Sequence, residues 1–217
     1  VYLNTTINDS DNTSAFFDWN KTLVGYWSMD YYNLSGIFDN STYNNFCTFK
    51  KGLTKRDITL GKYGYALNFD GVDDYVDCGD DSSLNSEEIT LEAWAKADSF
   101  GNYNGIVTNK KDAAHGLNLQ MGNSQHIAAL VGDGSSYVYV RTSWKPLLNK
   151  WYHIVLTHRG NVNKLYVDGK LEDTKIKNLS YSFPTTNTVI GCFYYNGGCS
   201  LPFSGTIDEV RIYNRAL

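Results

Sequence analysis

The stretch KLYVDGKLEDT, Lys164 to Thr174, gives the clearest local indication of the fold. Apolar and polar residues alternate on both sides of Asp168-Gly169, and an Asp-Gly pair between two such runs is typical of a type I′ β-hairpin. Similar short runs continue along the chain from Leu23 onward, separated by Gly, Asn and Asp. No helical periodicity persists for three turns, so the sequence predicts an all-β sandwich of two antiparallel sheets with minimal helix.

Length and composition fit one large β domain. The chain has 217 residues and is rich in aromatic residues, with 17 Tyr, 10 Phe and 5 Trp, which favour half-buried strands. A net charge of -4 with scattered Lys and Arg excludes the basic stripe that nucleic acid requires. No apolar run approaches the roughly 18 residues of a membrane span. Residues 1–21 are polar and predict a linker or stalk, and residues 22–217 predict the folded domain.

Four cysteines could form two disulfides by three connectivities. Cys192 and Cys199 enclose only FYYNGG, which predicts a bond that closes a loop tip and leaves Cys47 to pair with Cys78. A zinc site is the weaker alternative, because no Cys-x-x-Cys pair and no histidine at ligand spacing from a cysteine is present.

The chain also contains several Asn-x-Ser/Thr acceptors for N-linked glycans. These acceptors are Asn4, Asn8, Asn12, Asn20, Asn33, Asn40 and Asn178. Asparagine-rich composition alone would produce some of them, yet six precede Asn44. Disulfides and clustered acceptors together predict a secreted or cell-surface protein.

Six ordered pieces of the sequence resemble laminin-G-like domains of the concanavalin A-like lectin/glucanase superfamily. They are GYWSMD, GYALNFDGVDDYVDC, ITLEAWAKA, WYHIVLTHRGNVNKLYVDGK, TVIG and FSGTIDEVRIYNRAL. The resemblance implies a jelly-roll sandwich of two curved antiparallel sheets. It also implies a module that binds glycans or cell-surface proteins, often with calcium, within a longer surface protein.

The run ALNFDGVDDYV interrupts strand-like sequence with several aspartates. Asp-Gly-x-Asp-Asp is turn chemistry, so the sequence predicts a tight hairpin at Asp70-Gly71 in preference to a complete metal cage. The resemblance nevertheless implies a structural calcium held by an aspartate of the last strand, by the first strand and by a glycine-bearing loop. Carried onto this chain, these positions are Asp208, the neighbourhood of Asp30, and Asp70-Gly71, with a salt bridge from Asp208 to Arg211 as the alternative.

A catalytic alternative depends on Glu88 and Glu92. The superfamily contains glucanases with the strand pattern Glu-x-Asp-x-Glu, and residues 88, 90 and 92 would share one face of a strand. Thr90 replaces the middle aspartate and cannot supply its charge, so the sequence favours two solvated glutamates. His153 and His158 have opposite parity in a strand and should face opposite sides, which argues against a joint catalytic role.

Aromatic residues in predicted loops are the candidates for ligand contact, because flat rings stack on the apolar faces of sugars. Tyr194 and Tyr195 lie in the loop that Cys192 and Cys199 would close, while Trp144 and Tyr103 lie at strand breaks. Polar residues at alternate strand positions could line the concave sheet face, and these are Asn109, Asn118, Gln120, His126 and Arg141.

The sequence thus predicts an extracellular, non-catalytic binding or adhesion module that recognises a glycan or a partner surface and holds a structural calcium. A glycoside hydrolase using Glu88 and Glu92 is one alternative. A structural spacer domain of a surface protein or filament is the other.

Overall fold

The computed structural model describes residues 22–101, 104–110, 115–122, 126–179, 186–195 and 198–217. The side chains of Lys110, Tyr194 and Tyr195 are outside this description. The predicted linker, residues 1–21, also lies outside the described residues and stays a prediction.

The strands are numbered in chain order and form two eight-stranded antiparallel sheets and one hairpin. The first sheet contains β1 (Leu23–Trp27), β4 (Ile58–Leu60), β5 (Tyr65–Asp70), β7 (Glu88–Ala97), β12 (Trp151–Arg159), β13 (Val162–Val167), β14 (Lys170–Ile176) and β18 (Ser204–Tyr213). The second contains β2 (Gly36–Ile37), β3 (Cys47–Lys50), β6 (Tyr75–Asp77), β8 (Gly105–Lys110), β9 (His115–Gly122), β10 (His126–Asp133), β11 (Tyr137–Arg141) and β15 (Thr188–Ile190). The hairpin pairs β16 (Cys192–Tyr195) with β17 (Gly198–Pro202).

The strand order is β14-β13-β12-β7-β18-β5-β4 in the first sheet, with β1 also paired to β18. The order in the second sheet is β11-β10-β9-β8-β15-β6-β3-β2. This arrangement confirms the predicted all-β sandwich.

The core lies between the two sheets and follows the alternation of the sequence. On β7, Leu91 and Ala93 are buried in the core while Glu92 and Trp94 face outward, as a period of two requires. Trp27 of β1 is fully buried, and its indole Nε1 donates a hydrogen bond to the Asn45 carbonyl at 2.9 Å.

Helix is confined to two short 3₁₀ turns among the described residues, Lys55–Asp57 and Ser82–Leu84. Thr54 and Asp81 cap their amino ends. Within the described part of the chain, none of the helices has the length and apolar character needed to span a bilayer.

The predicted hairpin at Asp168-Gly169 is confirmed. Val167 pairs directly with Lys170, so the loop has two residues, and both have positive φ, 50° for Asp168 and 77° for Gly169. These are the left-handed conformations that a type I′ turn demands.

The predicted hairpin at Asp70-Gly71 is wrong, although the turn chemistry is present. Gly71 has φ +78°, and Asp70 Oδ1 accepts the Val72 N–H at 2.7 Å. However, β5 pairs with β4 and β18 in the first sheet, whereas β6 pairs with β3 and β15 in the second. The turn therefore carries the chain from one sheet to the other, which alternation within single strands cannot reveal.

A β-bulge interrupts β18 in the interior of the first sheet. The first half of β18 pairs with β5, from Ser204 to Ile207, and the second half pairs with β1, from Val210 to Tyr213. Between them the register with β7 shifts, and Glu209 has φ +53°. Bulges of this kind interrupt regular pairing, and here the bulge at Glu209 directly follows Asp208, which is the last residue of this half of β18 paired with β7 before the shift.

Candidate functional site

Asp208 lies on β18 between the segment that pairs with β5 and the segment that pairs with β1. Its carboxylate is fully buried, at 0% exposure. Asp208 Oδ2 accepts the backbone N–H groups of Lys62 and Tyr63 at 2.8 and 3.0 Å. Asp208 Oδ1 is buried and has no hydrogen-bond partner. Burial raises the pKa of Asp208 to about 7, despite the hydrogen bonds from Tyr63 and Lys62.

Asp30 follows β1 and contacts the same loop. Asp30 Oδ1 accepts the Tyr65 N–H at 2.7 Å, and burial raises the pKa of this carboxyl group. The carboxylate lies so close to Gly64 that a Cβ there would be 2.2 Å from Oδ1. The loop 61–65 therefore contacts both Asp30 and Asp208, two of the residues that the family resemblance implies as metal ligands.

The oxygen atoms around Gly61 resemble the ligand set of a calcium ion. A Cβ on Gly61 would lie within 3 Å of Asp208 Oδ2 and of the carbonyl oxygens of Tyr63 and Tyr65. Calcium takes six to eight oxygen ligands, including carboxylates and backbone carbonyls. The crowded oxygens and the unpartnered Oδ1 of Asp208 fit that donor set.

The glycine-bearing loop at this site is not the predicted one. Asp70-Gly71 is at the far end of β5, because Asp70 pairs with Ser204, four residues before Asp208 in β18. At roughly 3.3 Å per residue this separation is about 13 Å, too far for one ion. The loop that reaches Asp208 is Gly61–Tyr65, and its signal in the sequence was the pair of glycines in GKYGY directly before β5.

Only one of the two predicted disulfides is present among the described residues. Cys47 and Cys78 form the predicted disulfide, between β3 and the residue that follows β6. The predicted bond between Cys192 and Cys199 is not formed, and both are free thiols. These two residues nevertheless lie on the paired strands β16 and β17. Burial, followed by the side-chain hydrogen bond with Cys199, raises the pKa of the Cys192 thiol.

Trp144 forms part of an open groove of about 600 Å³ at the end of the first sheet where β13 turns into β14. Its indole Nε1 donates to Glu172 Oε2 at 2.7 Å, and its ring lies 5.8 Å from the ring of Tyr152. The ring also packs on the core, so one predicted ligand-binding residue is held rigidly in a groove. The groove is lined by Trp144, Lys145, Leu147, Lys150, Tyr152, Val167, Asp168, Lys170 and Glu172.

Charges surround the aromatic floor of the groove. Lys150 Nζ lies 4.8 Å from the centre of the Tyr152 ring, and Lys170 Nζ lies 3.4 Å from Glu172 Oε1. Asp168 Oδ1 accepts the His153 N–H at 2.9 Å, which fixes its position at the turn. Ammonium donors and carboxylate acceptors beside two rings can contact both the hydroxyls and the apolar face of a sugar. Glu172 was not predicted, since it lies 28 residues from Trp144.

The other predicted aromatic residues cannot be placed in a site. Tyr103 lies outside the described residues, as do the side chains of Tyr194 and Tyr195. The β16–β17 hairpin itself stands against the outer face of the second sheet, because Thr108 Oγ1 donates to the Cys192 carbonyl at 2.9 Å. These three predictions stay predictions.

The polar residues predicted to share one sheet face are divided between two. Asn118, Gln120, His126 and Arg141 lie in register on the outer face of the second sheet. Gln120 Nε2 there donates to the Tyr139 hydroxyl at 3.1 Å. Asn109 points toward the core side instead, because it pairs with Leu117, and its amide donates to Asn85 and Thr188.

Glu88 and Glu92 lie on the outer face of β7, and each forms ion pairs with different partners. Glu88 pairs with Arg159 at 3.1 Å, and Glu92 Oε1 lies 2.8 Å from Arg211 Nη1 and 3.1 Å from His153 Nε2. Burial raises the pKa of Glu92, but hydrogen bonds and charges from His153 and Arg211 outweigh it and leave the pKa below its ordinary value.

Thr90 stands between the two glutamates and holds the end of the chain. Its Oγ1 donates to the Arg215 carbonyl at 2.8 Å and accepts the Leu217 N–H at 3.1 Å. The space between the two glutamates is therefore occupied by backbone, and the pKa of Glu92 is lowered, whereas a general acid needs a raised pKa. This geometry gives the glycosidase alternative no support. The predicted ion pair between Asp208 and Arg211 is also absent among the described residues, since Arg211 pairs with Glu92 and Glu209.

The two histidines face opposite sides of β12, as predicted. His153 is on the outer face beside Trp94, with ring centres 5.1 Å apart. His158 is buried, and its Nδ1 lies 2.8 Å from Asn163 Oδ1. Burial lowers the pKa of His158 below that of a free imidazole.

Acid should therefore destabilise the domain through His158. The folded state holds this imidazole neutral while the unfolded chain binds a proton near pH 6.5, so stability should decrease as the pH falls below about 6.5, by at most about 1.4 kcal/mol per pH unit. Urea unfolding at several pH values measures this slope. The His158→Gln variant should show a shallower slope, and an equal slope would contradict the assignment to His158.

The glycan acceptors within the described residues are all accessible. Asn33, Asn40 and Asn178 are exposed. Asn4, Asn8, Asn12 and Asn20 lie outside the described residues.

Sequence comparison identifies a family. The model of Laminin_G_3, described as Concanavalin A-like lectin/glucanases superfamily, matches residues 70–217. No curated protein sequence matches the chain significantly.

Solved structures of the same architecture are numerous. Domain 4 of AbnA, a GH43 extracellular arabinanase from Geobacillus stearothermophilus in complex with arabinotriose, superposes with a TM-score of 0.74 at 22% identity, covering 90% of this chain and 94% of that one. The botulinum neurotoxin serotype D/C binding domain gives 0.67 at 17% identity, over 91% of this chain and 50% of that one. The Ruminococcus gnavus sialidase CBM40 bound to α2,3-sialyllactose gives 0.57 at 14% identity, over 70% of this chain and 92% of that one.

Proposed function

The chain belongs to the Laminin_G_3 family of the concanavalin A-like lectin/glucanase superfamily, and from this premise we propose that it is an extracellular, non-catalytic module that binds glycans. The Trp144 groove carries the proposal. It combines a fixed indole, a second ring and charged donors and acceptors in a volume that suits a short oligosaccharide. Structures of the same fold hold arabinotriose and sialyllactose.

A structural calcium is the second part of the proposal. Asp208, Asp30 and the carbonyl oxygens of Tyr63 and Tyr65 would hold it. Bound there, the ion would tie the ends of β1 and β5 to β18, and it would supply positive charge to a buried carboxylate. This site stabilises the fold and is separate from the groove.

Extracellular location is supported by the Cys47–Cys78 disulfide, which persists in oxidising compartments. The exposed acceptors Asn33, Asn40 and Asn178 are consistent with it. Membership of a longer surface protein remains part of the proposal.

Replacement of Trp144 should weaken glycan binding without unfolding the domain. Aromatic side chains at the centre of an interface commonly contribute more than a factor of ten in affinity, so Trp144→Ala should weaken binding by at least about tenfold. A glycan array that includes arabino-oligosaccharides and sialylated glycans would identify the ligand. Titration calorimetry would then measure the affinity of the wild type and of Trp144→Ala for that glycan.

The matched control is Trp94→Ala, because Trp94 is also half-buried but lies on the outer face of β7, beneath Lys62. The affinity of Trp94→Ala for the glycan should equal that of the wild type. Equal weakening by both variants, or none by Trp144→Ala, would rule out the groove. An array with no bound glycan would favour the spacer alternative.

A further inference from the structure

Three aspartates meet at the crossing between the two sheets, away from both sites described above. One carboxylate oxygen from each of Asp70, Asp73 and Asp74 lies within 4.8 Å of the others. Asp70 is the last residue of β5, and Asp74 immediately precedes β6, so the three residues span the segment that changes sheet. None of the ion pairs among the described residues involves these carboxylates.

Asp74 distinguishes this cluster from an ordinary solvated acidic turn. The residue is 4% exposed, and its Oδ1 is buried with no hydrogen-bond partner. Its Oδ2 accepts only a long hydrogen bond, 3.3 Å, from the Asp70 N–H. An unpartnered oxygen of a buried carboxylate is costly and normally marks a missing water or ion.

The unpartnered oxygen faces Asp73 and a backbone turn. A Cβ on Gly52 would lie 3.0 Å from Asp74 Oδ1 and 4.0 Å from Asp73 Oδ1, so both oxygens point toward the turn that follows β3. Lys51 adopts φ +62° in this turn. The two carboxylates and the turn thus enclose a small region that is rich in negative charge and oxygen atoms.

We propose that Asp70, Asp73 and Asp74 bind a divalent cation of the hard, oxygen-preferring class, with Ca²⁺ the best match. Carboxylates from one short turn, completed by backbone carbonyls and water, are a donor set that Ca²⁺ accepts readily, whereas Mg²⁺ demands a stricter octahedron. The ion would offset two of the three negative charges and connect the end of β5 in the first sheet to the start of β6 in the second.

This ion is distinct from the one proposed at Asp208. Asp70 lies about 13 Å from Asp208 along β18, by strand geometry, so two separate ions are expected. The inference does not depend on glycan binding, and the two sites can be removed independently.

Equilibrium dialysis and titration calorimetry with Ca²⁺ alone test the proposal. Asp74→Asn should remove one bound ion per chain, and Asp208→Asn should leave that ion in place. Asp73 is exposed, so Asp73→Asn should fold even if Asp74→Asn folds poorly. It should lower the affinity for the same ion by at least tenfold. The matched control is Asp80→Asn, an exposed aspartate outside the cluster, which should bind as the wild type does.

Melting curves of each variant confirm that it is folded before binding is compared. Loss of one ion in Asp74→Asn and weakening in Asp73→Asn support the site. Unchanged stoichiometry and affinity in Asp73→Asn would overturn it, whatever the result for Asp208→Asn or for glycans.

Discussion

Removal of calcium at Asp208 is expected to lower the melting temperature of the domain by about 5–10 °C. An ion that binds only the folded state, at one hundred times its dissociation constant, adds about 2.7 kcal/mol of stability. Each kcal/mol shifts the melting temperature of a domain of this size by about 2–4 °C. Because the Asp70 cluster should hold its own ion, the comparison is made in the Asp74→Asn background by calorimetry with Ca²⁺ and with EDTA.

The pH dependence of the ion-free protein provides an independent check. Burial raises the pKa of Asp208 to about 7, whereas an aspartate in the unfolded chain titrates near 3.9. The folded state then binds this proton more tightly than the unfolded state, so stability should decrease as the pH rises from about 4 to about 7. Calcium favours the ionised carboxylate and should oppose this loss.

Asp208→Asn is the decisive variant. It keeps the shape of the side chain but has no charge to bury, so the pH dependence from this position should disappear and the response to Ca²⁺ at this site should be lost. A wild-type melting temperature that EDTA leaves unchanged above neutral pH, with elemental analysis showing that no metal remains, would contradict the calcium proposal.

Loss of the Cys47–Cys78 disulfide is expected to destabilise the domain by about 3.7 kcal/mol, from the closure entropy of its loop. The two cysteines are 31 residues apart, and the loop between them includes β4 and β5 of the first sheet while both of its ends are anchored in the second. The bond therefore limits the freedom of the segment that crosses between the sheets. Urea unfolding of the Cys47→Ser/Cys78→Ser variant measures the change, and the corresponding fall in melting temperature is about 7–15 °C.

Thiol titration of the unfolded, unreduced protein provides the control. Two free thiols per chain are expected, from Cys192 and Cys199. A count of zero would mean that the second bond, which the sequence predicted, forms in solution. The Cys192→Ser/Cys199→Ser variant should retain nearly all of the stability, because it leaves the bonded pair intact. Equal losses in both double variants would contradict the assignment.

The sequence predicts the fold well because the signals that specify it are local. Alternation places Leu91 and Ala93 inside and Glu92 outside, and Asp168-Gly169 predicts a turn from two residues alone. The predicted meeting of Asp30 and Asp208 rests instead on the family resemblance, since nothing local relates residues so far apart.

The errors have a common physical cause, which is that sheet membership depends on distant partners. The local sequence predicts a hairpin at Asp70, yet Asp70 pairs with Ser204 of β18, near the end of the chain. Asn109 and Asn118 look equivalent, yet the register between β8 and β9 places them on opposite faces. Trp144 needs Glu172 to fix its ring, and no pattern in the sequence joins the two.

The pairing of β1 with β18 has a mechanical consequence. Leu23 faces Tyr213, and the Asn214 N–H donates to the Thr22 carbonyl at 2.9 Å, so both ends of the described domain leave from neighbouring antiparallel strands. Tension applied through these ends would open the hydrogen bonds between the strands one after another, as a zipper opens, and would not load them together. Force applied through these two ends would therefore meet only weak resistance, because the hydrogen-bonded pairs break singly.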